Sequence, residues 1–309
     1  MRLGGIEQTV LIRGDDRRNP VLLFVHGGPG LPEMPVSHRH AELERDFTVV
    51  HWDQRGAGKS YDFGDPPKSM RIADFVGDTR ELSRRLASRF GQRKIFLVGY
   101  SWGSLVGALA VRAEPSLFHA YIGIGQLVSI RDAEHALYME ALVEARRTGV
   151  RAAVRDLERV GPPPYENDRD EMRTKRWVKR LQPELPRRMT TSRFAALAFT
   201  SPFYGPLDFV KLGLGAQSTS ARTEDEIHAT DLAELAPRLD VPVWFFLGRH
   251  DTVVSATVLE RYFRALHAQR GKHLVWFEQS DHVPHLEEPE KYRALLREIR
   301  RSALQKRTN

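Results

Sequence analysis

The sequence predicts an α/β protein: a mostly parallel, doubly wound sheet with an inserted helical cap. Three observations predict it. Short apolar runs recur at Gln8–Arg13, Val21–His26, Thr48–Asp53, Ile95–Gly99, Ala120–Gly125, Val241–Gly248 and His273–Gln279. Most are continuous rather than alternating, as parallel strands covered on both faces should be. Helical spacing fills the gaps, at Ile72–Phe90 (stopped by Gly91), Thr257–Leu266 and Lys291–Ile299. That alternation implies right-handed βαβ units. The third observation is a break in the rhythm between about Ser129 and Pro237. No strong strand occurs there. Helix-like stretches at Asp132–Arg147, Arg151–Arg159, Arg169–Leu181 and Arg193–Thr200 are punctuated by Gly161-Pro162-Pro163-Pro164 and Ser201-Pro202-Phe203-Tyr204-Gly205-Pro206. The expected organisation is a core of residues 1–128 and 237–309 with a cap of residues 129–236. The tail Arg301–Asn309 is expected to fray.

In chain order, several of these strands empty into chemistry. The run Val21–Val25 ends in His26-Gly27-Gly28-Pro29-Gly30. A glycine-rich turn at a strand end lets a backbone N–H approach a substrate oxygen, so Gly28 is a candidate oxyanion donor, with Gly27 the fallback. Taken alone, the same glycines make a tight loop before a helix. The apolar run Phe96–Val98 enters Gly99-x-Ser101-x-Gly103, and the small-residue helix Leu105–Ala110 follows. This is the strand–turn–helix setting of a nucleophile elbow. Gly99 and Gly103 lack side chains where strand and helix crowd, so the turn can push the Ser101 hydroxyl outward. The residue after the serine, Trp102, would supply the second oxyanion N–H.

A serine needs a base to take its proton and a third group to orient that base. No acid closely follows Ala120–Gly125. The strand Val243–Gly248 empties into Arg249-His250-Asp251, and Leu274–Phe277 leads into Glu278-Gln279-Ser280-Asp281-His282. The order serine, acid, histidine suits this setting. The candidates are Ser101 as nucleophile, His282 as base and then acid, and Asp251 as the orienting carboxylate. Each has a competitor. Asp251 could cap a helix starting near Ser255. His285 is a rival base and His250 a weaker one. Asp281 points away from its neighbour His282 if the segment is extended. The pairs His282-x-x-His285 and His38-x-His40 fall in no three-ligand metal pattern, so neither metal nor cofactor is expected.

Composition bounds the rest. Hydrophobic residues are 41% and charged residues 28% of the 309, an ordinary globular balance. With no cysteine, thiolate catalysis, disulfides and Cys-based metal sites are excluded. No apolar run is long enough to span a bilayer, and Met1–Glu7 lacks a secretory apolar core. A cytoplasmic location without membrane attachment is expected. The formal charge of +7 comes mainly from scattered arginines beside acids, with no basic–aromatic interleaving. It reads as a solvated surface, not a nucleic-acid site.

His26-Gly27-Gly28-Pro29-Gly30, Asp53-Gln54-Arg55-Gly56-x-Gly58-x-Ser60, Gly99-x-Ser101-Trp102-Gly103-Ser104, Gly248-Arg249-x-Asp251 and His282-x-Pro284-His285-x-Glu287-x-Pro289-Glu290 together resemble the α/β-hydrolase superfamily. More narrowly they resemble its proline iminopeptidase-like branch of serine peptidases. The resemblance spans roughly 1–128 and 237–305 and implies the α/β-hydrolase fold. It places the base at His282, where Asp281 stands in place of a common glycine, and makes Asp53–Ser60 a structural turn near the base. Trp102 would wall the substrate pocket or pack in the core. Prolyl aminopeptidases are expected to hold the substrate's amino group with cap carboxylates. Glu134, Glu140, Glu144, Glu171, Asp208 and Glu224 are available, without a matching local motif. The basic run Arg173-x-Lys175-Arg176-Trp177-x-Lys179-Arg180 should face solvent.

The expected function is a metal-free serine hydrolase cleaving an ester or amide through an acyl-enzyme, in its narrower form a proline iminopeptidase-like aminopeptidase. An esterase, lactonase or acyltransferase acting on a bulky secondary metabolite is the alternative. A non-catalytic ligand-binding homologue ranks third. Epoxide hydrolase and haloalkane dehalogenase readings are disfavoured, because those reactions on this fold use a carboxylate nucleophile and position 101 is serine. The partner is a small-molecule or short-peptide substrate, and the oligomeric state is open.

Overall fold

The computed structural model describes residues 1–64 and 66–305. A short hairpin, β1 (Arg2–Leu3) and β2 (Ile6–Glu7), precedes a seven-stranded sheet. The sheet strands are β3 (Val10–Arg13), β4 (Val21–Val25), β5 (Thr48–Trp52), β6 (Ile95–Tyr100), β7 (Phe118–Ile124), β8 (Val243–Gly248) and β9 (Lys272–Phe277). Their order is β3-β5-β4-β6-β7-β8-β9, and only the β3–β5 pairing is antiparallel. Every predicted strand is present, with ends shifted by up to two residues.

The unbroken apolar runs are buried on both faces. Val21, Leu23, Val25, Ile95 and Leu97 point into one core, against Phe75, Leu82 and Leu86 of α1 (Ile72–Arg89) and Val106 of α2 (Trp102–Ala113). The alternate residues Leu22, Phe24, Phe96 and Val98 enter a second core. That core holds Leu43, from a run of 3₁₀ turns at Met34–Arg45, and Tyr292, Leu296 and Ile299 of α11 (Pro289–Gln305). Burying such side chains is worth about 1.5–3 kcal/mol each, which is why a strict two-sided apolar pattern fixes the layer order. The expected fraying of Arg301–Asn309 does not hold as far as Gln305. Ala303 still packs on the second core and keeps the helix docked; residues 306–309 lie outside the described residues.

Between β7 and β8 the chain makes only helices: α3 (Ile130–Arg147), α4 (Arg151–Val160), α5 (Asp168–Arg180), α6 (Thr191–Phe199), α7 (Pro206–His228) and the short α8 (Leu232–Leu235). Leu137, Tyr138, Ala141, Leu142, Leu157 and Val178 form a small core among the first three. The two ends of this segment meet in an antiparallel bridge between Ser129 and Asp231, and Leu232 N–H donates to Val128 O at 2.8 Å. Sequence reading missed the 23-residue α7. After β8 come α9 (Ala256–Ala265) and, past β9, α10 (Pro284–Glu287). No helix among the described residues is long and apolar enough to cross a membrane.

Candidate active site

Parallel register places the C-terminal ends of β4, β6, β8 and β9 on one edge of the sheet, where Val25 pairs with Gly99 and Gly248 with Phe277. Such edges are where open α/β sheets build sites. Ser101 follows β6 with φ of +52°, and among the described residues it is the only non-glycine with positive φ. Holding a serine there costs roughly 1–3 kcal/mol. The surrounding packing enforces it. A Cβ on Gly103 would lie 2.0 Å from Val25 O, and one on Gly99 would lie 2.4 Å from Gly103 O. Only glycine lets α2 approach the sheet so closely, and Ser101 N–H is pinned to Ile124 O at 2.8 Å.

Two hydrogen bonds join the three predicted residues. Ser101 Oγ lies 2.9 Å from His282 Nε2, and His282 Nδ1 lies 2.9 Å from Asp251 Oδ2. The other Asp251 oxygen accepts from the N–H groups of Val253 and Val254, both at 2.8 Å. Asp251 therefore also shapes the turn before α9, but Ser255, not Asp251, stands at the N-cap. With Nδ1–H donated to a carboxylate, Nε2 faces the serine as an acceptor. Burial lowers the pKa of His282, but the charge and hydrogen bond of Asp251, with Asp281 and Glu287, outweigh it, so the net shift is upward.

The rivals are engaged elsewhere. His285 is fully buried, with Nε2 2.6 Å from Glu33 Oε1. His250 Nδ1 lies 3.4 Å from Gln182 Oε1. Asp281 lies in a bend rather than an extended segment, and its side chain accepts from Thr252 N and Oγ1, each at 3.1 Å.

Gly28 and Trp102 border the same cavity as Ser101. Gly28 has φ of +115°, and a Cβ there would lie 2.5 Å from Gly30 N, so the loop needs glycine. Trp102 heads α2, where the first-turn N–H groups lack intrahelical partners. Its ring is a packing element: it is 1% exposed and stands edge-on to Phe75 at 5.1 Å. Its indole N–H donates to Gln54 Oε1 at 3.2 Å. Gln54 also donates through its backbone N–H to His26 Nε2 at 3.1 Å and through its side chain to His26 O at 2.9 Å. The Asp53–Ser60 turn thus braces the glycine-rich loop. Sequence reading missed this role, and Gln54 carried no signal beyond its place in the turn.

The cavity beside Ser101, about 490 Å³, has apolar walls that include Leu127, Ile130, Leu137, Val178 and Ile227. Three of the six candidate acids reach it: Glu134, Glu171 and Glu224. Burial pushes Glu134 up, against the opposing charges of Lys175 and His228. The other three go elsewhere. Glu140 accepts from Thr257 Oγ1 at 2.9 Å, Glu144 pairs with Arg147, and Asp208 pairs with Lys59 at 3.0 Å. The basic run on α5 is not wholly solvent-facing, because Lys175 and Lys179 border the cavity. Both stay exposed, on the side of α5 that also carries Glu171, Thr174 and Val178, and Lys175 pairs with Glu171 and lies 3.7 Å from Glu134.

The profile of the alpha/beta hydrolase family matches residues 22–295. A Bacillus subtilis (strain 168) protein named "Probable aminopeptidase YbaC" is 34% identical over 298 residues, covering 94% of this chain and 91% of that protein. The pyrrolizixenacetamide deacetylase of Xenorhabdus hominickii is 24% identical over 283 residues, 91% of each chain. Among solved structures, the proline iminopeptidase of Mycobacterium smegmatis superposes with a TM-score of 0.65 at 19% identity, covering 97% of this chain and 96% of that one.

Proposed function

The chain belongs to the alpha/beta hydrolase family, and on that premise we propose that it is a serine hydrolase cleaving an ester or amide through an acyl-enzyme. The observation that carries this reading is the hydrogen-bonded series Ser101–His282–Asp251, with 2.9 Å at each step and the serine held at positive φ. His282 takes the hydroxyl proton as Ser101 Oγ attacks the carbonyl carbon. The oxyanion forms against the N–H groups of Gly28 and Trp102. His282 then protonates the leaving group. A water, activated by the same imidazole, attacks the acyl-enzyme, and the proton returns to Ser101 as the acid product departs. Neither metal nor cofactor takes part. Residues 129–236 act as a cap that supplies most of the cavity wall.

The narrower reading is an aminopeptidase. It is supported by Glu134, Glu171 and Glu224 bordering the cavity, where carboxylates can hold a free ammonium group, and by the similarity to aminopeptidase-named relatives. A second reading, an esterase or deacylase of a bulky small molecule, draws on the apolar walls and the similarity to a deacetylase.

A substrate panel tests both. Ser101→Ala should lower hydrolysis of an activated ester by on the order of 10³-fold or more and abolish fluorophosphonate labelling; full turnover by that variant would end the mechanism. An aminopeptidase should cleave proline arylamide and leave its N-acetylated form nearly untouched. Hydrolysis of acyl esters alone would select the second reading.

A further inference from the structure

The segment between α5 and α6 is fastened to the loop of the candidate base at consecutive residues. Arg188 Nε lies 3.2 Å from Asp281 Oδ2, an ion pair with both side chains mostly buried, at 14% and 10% exposure. Met189 N–H donates to Glu287 Oε1 at 2.5 Å. The second oxygen of each carboxylate turns toward the sheet domain. Asp281 Oδ1 accepts from Thr252, beside Asp251, and Glu287 Oε2 accepts from Asp281 N–H at 2.7 Å, beside His282. Two carboxylates therefore each bridge the helical segment and a loop carrying a member of the Ser101–His282–Asp251 series.

We propose that Arg188 is a positioning residue: seated on Asp281, it latches the inserted helical segment onto the loops bearing Asp251 and His282, so that the base is held in working orientation by the docked segment. This rests on the serine hydrolase reading above. An unlatched segment leaves Asp281 without its cation, next to the imidazole. The charged and titratable groups around His282 are Asp251 after β8, Asp281 on its own loop, Glu287 and His285 on α10, Tyr100 at the end of β6, and Arg188. Of these, Arg188 is the cation that counters Asp281. Its loss strengthens the hold of Asp281 on the imidazolium, whereas neutralising Asp281 weakens it.

The test is the pH profile of activated-ester hydrolysis by the full chain, with unfolding followed in parallel. Arg188→Gln should lower kcat about 10-fold with KM changed less than about 2-fold, and should move the ascending limb of kcat/KM up by about half a pH unit. Arg188→Lys should restore most of kcat. Asp281→Asn should move the limb down. Adding Arg188→Gln to Asp281→Asn should then change neither quantity further, because the two residues act through one contact. The proposal is overturned if Arg188→Gln leaves kcat and the limb at wild-type values. It is equally overturned if activity falls only in step with the folded fraction while the limb stays put, or if the limb shifts as much in the Asp281→Asn background. Retained turnover by Ser101→Ala would instead remove the underlying reading. Loss in that variant, with an indifferent Arg188→Gln, rejects the latch alone.

Discussion

An imidazole serves as a base only while neutral, and here the surroundings favour its charged form. Burial works against the imidazolium of His282, but Asp251 together with Asp281 and Glu287 more than compensates, so the group titrates above its ordinary value of 6.5. Activity should therefore rise with pH through a midpoint above 6.5. Replacing Asp251 with Asn removes the largest of the raising influences, and the midpoint should move down. The plateau should also fall, by on the order of 10³–10⁴-fold, because Asn cannot hold the Nδ1–H tautomer or stabilise the imidazolium. A pH–rate profile with a lower plateau and an earlier limb is the expected outcome; a limb that stays in place would mean that another group titrates. At this scale the sequence was informative because each strand end delivers one residue with few neighbours able to replace it. The brace through Gln54 and the latch through Arg188 were not legible, since each depends on contacts between segments tens of residues apart in the chain.

Among the α-helices longer than one turn, α7 was the one missed, and its composition explains why. Gly213, Gly215 and several Ser and Thr residues dilute its helical signal. Tertiary contacts account for the helix instead. It crosses the two glycine-rich turns of the sheet domain, with Thr219 Oγ1 donating to Gly56 O at 3.1 Å and Ser220 Oγ to Pro29 O at 3.2 Å. A Cβ on Gly215 would lie 2.6 Å from Gly56 O, while one on Gly213 would meet nothing within 4 Å. Helix propensity favours alanine over glycine by about 1 kcal/mol at either site. The two Gly→Ala substitutions should thus differ in sign. Gly213→Ala should stabilise by up to about 1 kcal/mol. Gly215→Ala should destabilise by about 1–3 kcal/mol, since backbone must shift. Denaturant unfolding of the two variants checks this, and equal effects would show that α7 is not held by that crossing. The strands were easier to read because two-sided burial writes itself into continuous apolar runs. Their ends were shifted where the antiparallel edge and the loops, rather than periodicity, set the boundary.

For the whole molecule, the sheet encloses histidines whose neutral form the fold requires. Burial lowers His26 and His51 to about 4 and drives His40 well below 6.5. His26 uses both ring nitrogens, whereas neither nitrogen of His51 has a hydrogen-bond partner and its ring stacks on Phe24 at 4.8 Å. The unfolded chain takes up these protons near pH 6.5 and the folded chain does not. Stability is therefore complete above pH 6.5 and falls as pH drops toward 4. Asp53 opposes the trend. Its burial, only partly offset by Tyr204 and Lys59, raises it to about 7 from 3.8. The folded state then holds a proton that the unfolded chain gives up above pH 3.8, so this group stabilises as pH falls from 7 to 3.8. Among these four groups, three histidines against one aspartate leave a net loss of stability in acid. His51 alone, shifted from 6.5 to about 4, corresponds to about 3 kcal/mol of that loss. Phenylalanine can keep the stacking and cannot titrate. His51→Phe should therefore lose about 3 kcal/mol less than wild type between pH 7 and pH 4, while changing little at pH 7. Urea midpoints at the two pH values measure the difference, and parallel pH dependence in both proteins would show that His51 is already protonated, or already hydrated, inside the fold.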